Sequence, residues 1–454
     1  MASLSFLDRE LSVAHPGYSR WLVPPAALAI HLCIGQVYAF SVFKIPLSEA
    51  LGITKSVPGD WTETQLAWIF SLAIVMLGLS AAIFGRWLEG AGPRKAMFAA
   101  AVCFALGFVI SYFGVIWHQL WLIYFGYGFV GGIGLGLGYI SPVSTLIKWF
   151  PDRPGLATGM AIMGFGGGAM IGSPLAIKLM AYFRTANDIG VGPTFLTIGV
   201  LYFLLMMFGV FTIRVPREGW KPDNWTPQAK DQKLITTHNV DVNTAFRTPQ
   251  FWLLWVVLCT NVTAGIGILE QASPMIQELF KGSVGPVAAG GFVGLLSLFN
   301  MAGRFFWAST SDYIGRKPTY FIFFTLGAVL YYGLPRTGAD RLNSVVLFVG
   351  ISVVLLSMYG GGFATIPAYL RDLFGTHHVS AIHGRLLTAW SVAGVLGPVL
   401  VNHMREYQIA HGADKASAYQ TVLEIMAALL VVGFFANLLV RPVSEKYWLS
   451  EKGS

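Results

Sequence analysis

Gly290-Gly291-Phe292-Val293-Gly294-Leu295-Leu296-Ser297-Leu298-Phe299-Asn300-Met301-Ala302-Gly303-Arg304-Phe305-Phe306-Trp307-Ala308 is an apolar run long enough to cross a bilayer as a helix, with Arg304 well inside it. A guanidinium at that depth costs roughly 2.5 to 3.5 kcal/mol on the lenient insertion scale. Something must offset that cost. A bound anion would do so; so would snorkelling to the membrane edge or pairing with backbone carbonyls. The run then breaks into the polar turn Ser311-Asp312-Tyr313-Ile314-Gly315-Arg316-Lys317.

Outward from this stretch the chain is of one kind. Of its 454 residues 55% are hydrophobic and 11% charged, against about 25% charged in an ordinary soluble domain. The apolar blocks are continuous rather than alternating, so they read as helices and not as barrel strands. The expected fold class is an all-α polytopic membrane protein. Spans of about 20 residues fall near 21–43, 65–87, 96–116, 119–145, 155–182, 194–213, 251–275, 286–310, 318–335, 344–369, 386–404 and 419–440. Sorting Lys and Arg by alternate loops puts most of them, Arg94, Lys95, Arg153, Arg214, Arg217, Arg316 and Lys317 included, on the side that holds both termini. The positive-inside rule then gives N-in and C-in. Topology therefore accounts for the net charge of +8, and no nucleic-acid partner is expected. Cys33, Cys103 and Cys259 all lie in apolar blocks without disulfide or metal spacing and read as packing residues.

The longest polar segment, 214–250, holds Pro216, Pro222 and Pro227 and reads as a cytoplasmic linker. It divides a six-helix half at 21–213 from a second at 251–440, with a cytoplasmic N-terminal segment at 1–20 and a tail at 441–454. The halves echo each other. Glu89-Gly90-Ala91-Gly92-Pro93-Arg94-Lys95 follows span two as Asp312 to Lys317 follows span eight. Gly168 to Pro174 in span five likewise echoes Ala393 to Pro398 in span eleven. Parallel six-helix repeats imply a site near the midplane between them.

The acid-then-basic turns resemble the signature loop of the major facilitator superfamily, with Glu89 where Asp is usual. More specifically, the chain resembles the oxalate:formate antiporter group, relatives of the monocarboxylate transporters. The likeness is carried by Gly35-Gln36-Val37-Tyr38-Ala39-Phe40-Ser41, by the stretch from Lys148 to Gly159, by Thr248 to Trp255, by Asn261 to Gly267, and by Asn300-Met301-Ala302-Gly303-Arg304. It implies that Arg304 holds a substrate carboxylate, and a planar guanidinium can do so bidentately. Asn300, one turn away, would orient it. The oxalate carriers of the group are thought to use a second cation in helix eleven. Here Trp390 takes that place, and no Lys or Arg occurs between Leu386 and His403. One buried cation balances one carboxylate, so the departure favours a monocarboxylate such as lactate, pyruvate, formate or glyoxylate over oxalate. Proton-coupled monocarboxylate transporters carry an acid one turn before the arginine; Asn300 stands there in this chain, so their coupling route does not carry over.

His31 and Tyr38 are two turns apart in span one and share a face, with Gln36 in the same stretch. His31 is the most plausible titrating group, and Glu270 in span seven is the other proton-coupling candidate. Tyr139, Tyr359 and Trp390 are candidate pocket walls, placed so by the resemblance; Phe165 and Phe363 could serve likewise. Glu89, Arg94, Asp312 and Arg316 are expected to latch the bundle rather than touch substrate. His377, His378 and His383 are placed in a cytoplasmic loop and expected to be exposed. The glycines Gly128, Gly132, Gly136, Gly164, Gly168 and Gly172 mean close helix contact, since no strand precedes them to make a nucleotide loop. No cofactor or metal is expected, nor an enzyme: there is no Gly-x-Ser-x-Gly turn or paired His/Asp motif within a span. The expectation is a monomeric secondary transporter of the cell (inner) membrane. It would move a small carboxylate by alternating access, through anion exchange or proton symport. An oxalate:formate-type dicarboxylate exchanger and a transporter-like sensor of the same anion are the rivals.

Overall fold

The computed structural model describes residues 6–223, 225, 234–338, 342–414 and 416–449. In chain order the helices are α1 (Pro24–Ile34), α2 (Ser41–Leu47), α3 (Glu63–Ala91), α4 (Pro93–Ile116), α5 (Leu120–Ile123), α6 (Gly131–Trp149), α7 (Pro154–Phe183) and α8 (Val191–Thr212). There follow α9 (Val242–Phe246), α10 (Pro249–Leu279), α11 (Pro286–Ile314), α12 (Arg316–Gly333), α13 (Val345–Phe374), α14 (Val379–Leu386), α15 (Thr388–Ala410) and α16 (Ala418–Leu439). A single π-helical stretch, Tyr124–Val130, joins α5 to α6. Among the described residues eleven helices are long and apolar enough to cross a membrane. The 18-residue α12 stands where the ninth span is expected, and the architecture is all-helical with twelve membrane helices. All three cysteines are free thiols.

The chain divides into two compact units. One gathers the described residues of Met1–Gln228 together with His378–Ser391; the other takes those of Ala229–His377 and Val392–Ser454. Span eleven, which breaks between α14 and α15, is thus shared between the units, and the boundary falls after Ser391 in the first turn of α15. Its first part, seven residues longer at the front than the apolar run predicts, packs on α3.

In the first unit, small residues let backbones meet. Gly132 and Gly136 seat against Ala73 and Leu77 of α3, and Gly168 against Leu32 of α1 and Gly35 just beyond it. A methyl at any of these would strike main-chain atoms. The same device admits α14: Gly85 meets Ala381, Gly384 meets Ala81, and Gly78 meets Leu387 and Ser391. Thr62 starts α3 with a capping box, taking the Gln65 amide on its hydroxyl (3.3 Å) while Gln65 Oε1 accepts from the Thr62 amide (2.9 Å). In the second unit Gly303 of α11 lies on the Ser357 carbonyl, and Gly360, Gly361 and Gly362 of α13 lie on Asn300, Trp307 and Asn261. Outer faces carry exposed Ile83, Phe84, Leu204, Phe208, Phe306 and Phe435, as helices facing lipid do.

Two cytoplasmic turns are sharp for the same reason. Between α3 and α4 the chain reverses at Gly92 (φ 83°), and between α11 and α12 at Gly315 (φ 91°), a left-handed backbone that side-chain-bearing residues rarely adopt.

Candidate functional site

α11 is buried where it faces α13, and there Arg304 is fully enclosed. Its Nε donates to Asn300 Oδ1 at 3.1 Å, the one-turn spacing bringing the two side chains together. Its guanidinium lies over the Phe363 ring, 5.2 Å from the centroid. Phe363 meets the Tyr359 ring edge to face at 5.3 Å, and both come from the Tyr359-Gly360-Gly361-Gly362-Phe363 segment. The missing side chains of those glycines bring α13 close enough for this contact. Arg304, Asn300, Tyr359 and Phe363 therefore form one cluster within the second unit.

The first unit holds a second cluster, aromatic throughout. Phe165 of α7 meets Tyr38 at 5.3 Å, Tyr139 at 5.4 Å and Trp390 at 5.2 Å. Trp390 closes on Tyr139 at 5.3 Å and on Tyr38 at 6.4 Å. His31 stands 5.3 Å from Tyr139 and 6.5 Å from Phe165. Thus His31 and Tyr38 do turn toward the same ring, although the helix between them tightens to a 3-10 turn at Gly35–Ala39. The His31 ring lies between two backbone oxygens, that of Ala161 beside Nδ1 and that of Tyr139 3.1 Å from Nε2.

Gln36 is placed elsewhere. Its Oε1 accepts from the Tyr202 hydroxyl at 2.8 Å, against Gly172. The side chain of Glu270 lies outside the described residues.

The two signature turns are wired differently. Arg316 donates from Nε to Asp372 (3.1 Å), from one terminal nitrogen to Asp312 (2.6 Å), and from the other to Ser311. All three charged residues are less than a tenth exposed. Arg94 instead stacks on Phe6 (4.7 Å) and donates to its carbonyl (3.2 Å), while Lys95 pairs with Asp8 at 2.7 Å. Glu89 accepts from His378 Nδ1 (2.8 Å) and from the Ala381 amide (3.2 Å).

Two of the three histidines expected to be exposed in a loop are not. His378 is half-buried on Glu89, and His383 is 2% exposed, inside α14. The apolar run is interrupted by His383 and Arg385, so a hydropathy reading starts the helix too late. The small residues of α3 then let α14 pack closely, with His383 buried and Arg385 partly exposed. His383 lies 5.9 Å from the Tyr139 ring, and its Nε2 is buried with no hydrogen-bond partner among the described residues. It is the buried neighbour of the aromatic cluster that sequence reasoning missed. Its position seven residues before Trp390 was the available signal.

Lipid-facing helices with buried polar clusters at mid-span define a polytopic protein whose function resides within the bilayer. A model of the Major Facilitator Superfamily matches residues 26–398, and the chain belongs to that superfamily: it is a multi-pass transporter of the cell membrane, not an enzyme. The chain is 28% identical to the oxalate:formate antiporter of Oxalobacter formigenes, over 84% of its own length and 83% of that protein. It is 26% identical to the uncharacterized MFS-type transporter YhjX of Escherichia coli strain K12, over 83% and 86%. It is also 23% identical to apicoplast pyruvate carrier 1 of Toxoplasma gondii, over 88% and 79%. Among solved structures, the E. coli fucose:proton symporter FucP matches with a TM-score of 0.65 at 14% identity, covering 91% of this chain and 98% of that one. That likeness speaks for the fold alone.

Proposed function

We propose that this transporter carries a small monocarboxylate by alternating access, with Arg304 holding the carboxylate. The observation that carries the reading is a guanidinium fully enclosed in the middle of a membrane helix, steadied by Asn300 and backed by the face of Phe363. A side chain so placed is costly without a function. The planar fork is suited to a carboxylate, and relatives named for oxalate and formate or for pyruvate supply the substrate class. Trp390 stands among aromatic rings where a dianion carrier would want a second cation, so lactate, pyruvate, formate or glyoxylate fits better than oxalate. Tyr38, Tyr139, Phe165 and Trp390 are the first unit's substrate-facing aromatics in this reading, with His31 against Tyr139. Tyr359 and Phe363 do so beside Arg304. Glu89, Arg94, Asp312 and Arg316 act as conformational latches.

The test is uptake of radiolabelled lactate, pyruvate, formate, glyoxylate and oxalate into proteoliposomes, with and without internal counter-substrate. Saturable uptake of at least one monocarboxylate, lost in Arg304→Ala, is the expected result. Binding without flux would make the protein a sensor, and retained uptake at normal affinity in the variant would remove Arg304 from the site.

A further inference from the structure

A cavity of about 190 Å³ lies at the cytoplasmic end of the first unit, between the N-terminal segment, the α3–α4 turn, the end of α6 and the start of the linker. The carboxylate reading makes no use of it. Two cations line it, Arg9 and Lys148, and they reach it from different elements. The Arg9 stem packs on Gly92, the glycine of the α3–α4 turn, whereas Lys148 stands half-buried in the last turn of α6. The two are close enough to repel each other. Neither side chain has a hydrogen bond or ion pair among the described residues.

The carbonyl end of a helix favours a cation, but a half-buried ammonium facing a second cation still needs a counter-charge. The acids on the lining do not supply it. Glu89 offsets part of the repulsion from a distance, yet its carboxylate is bonded to His378 and to the Ala381 amide. Glu218 is exposed to water and pairs with neither cation. Arg94, beside the lining residue Pro93, adds to the imbalance. It is 3% exposed, its partners are the Phe6 carbonyl and ring, and its Nε has no hydrogen bond among the described residues.

We propose that this cavity is a binding site for a small oxyanion taken from the cytoplasm, a carboxylate or a phosphate, held between Arg9 and Lys148. The space is about ten times what one water needs, room for an anion the size of phosphate or pyruvate. Ser144 and Thr145, also on the lining, give their hydroxyl protons to the Ser141 carbonyl at 3.0 Å, so recognition falls on the two cations. A bound anion would fasten the N-terminal segment to α6. The start of the linker would be held with it, because the Ala14 amide donates to the Val215 carbonyl and the Val215 amide to that of Ser12, each at 2.9 Å. The site lies within one unit, and it stands or falls apart from the role of Arg304.

The experiment is equilibrium dialysis of the purified full chain in detergent, at fixed ionic strength, against labelled phosphate and, separately, labelled pyruvate. Arg304→Ala is the background, so that carboxylate held at that arginine does not count. At least one probe should bind saturably, and whichever does identifies the source of the oxyanion. Lys148→Gln and Arg9→Gln, added to that background, should each weaken the binding about tenfold or more, as loss of a charged partner does. Arg9 is exposed, so its variant should fold even where Lys148→Gln does not. No saturable binding of either probe overturns the inference, and so does binding that a folded Arg9 or Lys148 variant leaves unchanged.

Discussion

Gly360→Ala offers a direct test of how helix packing sets the substrate contact. A methyl at 360 would collide with the main-chain oxygen of Asn300, and would lie 2.6 Å from Asn300 Oδ1 and 3.1 Å from Arg304 Cγ. The backbone oxygen cannot move without α11, so α13 must retreat or the Asn300 side chain must turn away. Turning away breaks the Arg304–Asn300 hydrogen bond, worth roughly 1.5 to 3 kcal/mol for a charged group. Retreat is an overpacking cost of about 1 to 3 kcal/mol. Gly361→Ala is the control, because its methyl would meet Trp307 Cβ at 2.6 Å and Phe323 Cζ at 2.9 Å and neither atom of the Arg304–Asn300 pair. Both variants should therefore lower the thermal midpoint in detergent. Only Gly360→Ala should also raise the KM for the carried monocarboxylate, by about tenfold for each 1.4 kcal/mol of misplacement. Concentration-dependent uptake in proteoliposomes reads the KM, and tryptophan fluorescence on heating reads stability. Equal KM values in the two variants would refute the claim that this glycine seats the binding arginine.

Three further outcomes follow from the same geometry. Arg304→Ala should reduce uptake efficiency by about thirtyfold or more, from the roughly 2 to 5 kcal/mol lost when one partner of a buried charged contact is truncated; Arg304→Lys should recover little, since an ammonium lacks the planar fork. Uptake within threefold of wild type in either variant would contradict this. Trp390→Lys should shift the selectivity profile toward dicarboxylates by placing a second cation among Tyr38, Tyr139 and Phe165, and an unchanged profile across the substrate panel would count against Trp390 as a selectivity residue. Arg316→Ala removes the cation shared by Asp312 and Asp372, while Asp372 keeps Arg371 at 3.1 Å, so a loss of about 3 kcal/mol is expected, the low end for a broken buried pair. A midpoint unchanged on heating would mean that water or another cation serves those carboxylates.

Much of the fold was legible because hydrocarbon imposes one rule, continuous apolar helices, and the sequence obeys it nearly everywhere. It was least legible where a helix carries polar residues into a protein-lined berth. α14 begins at Val379, ahead of the apolar run, because Gly78, Gly85 and Ala81 on α3 clear a surface for it. No hydropathy window sees a partner helix, so His383 was read as a loop residue. Arg304 and Asn300 were legible together, because an intramembrane charge and its one-turn neighbour are local facts. Gln36 was not: nothing near it in sequence announces Tyr202, which takes its amide oxygen.

The repeated turns show what an internal echo does and does not predict. Both copies need a reversal within one residue, and both meet it with glycine in the left-handed region, at Gly92 and Gly315. The backbone requirement is what the two halves share. Side-chain wiring is free to differ, because charged groups take whatever partner lies nearest. In the second half Asp372 lies beside the turn, and Arg316 closes a buried triad with Asp312. In the first half the N-terminal segment arrives first. Phe6 covers Arg94, Asp8 takes Lys95, and Glu89 is left for the end of α14. Loss of charge at Arg316 should therefore weaken the fold of one unit, whereas loss at Glu89 should loosen the seat of α14, and with it the position of His383 beside Tyr139.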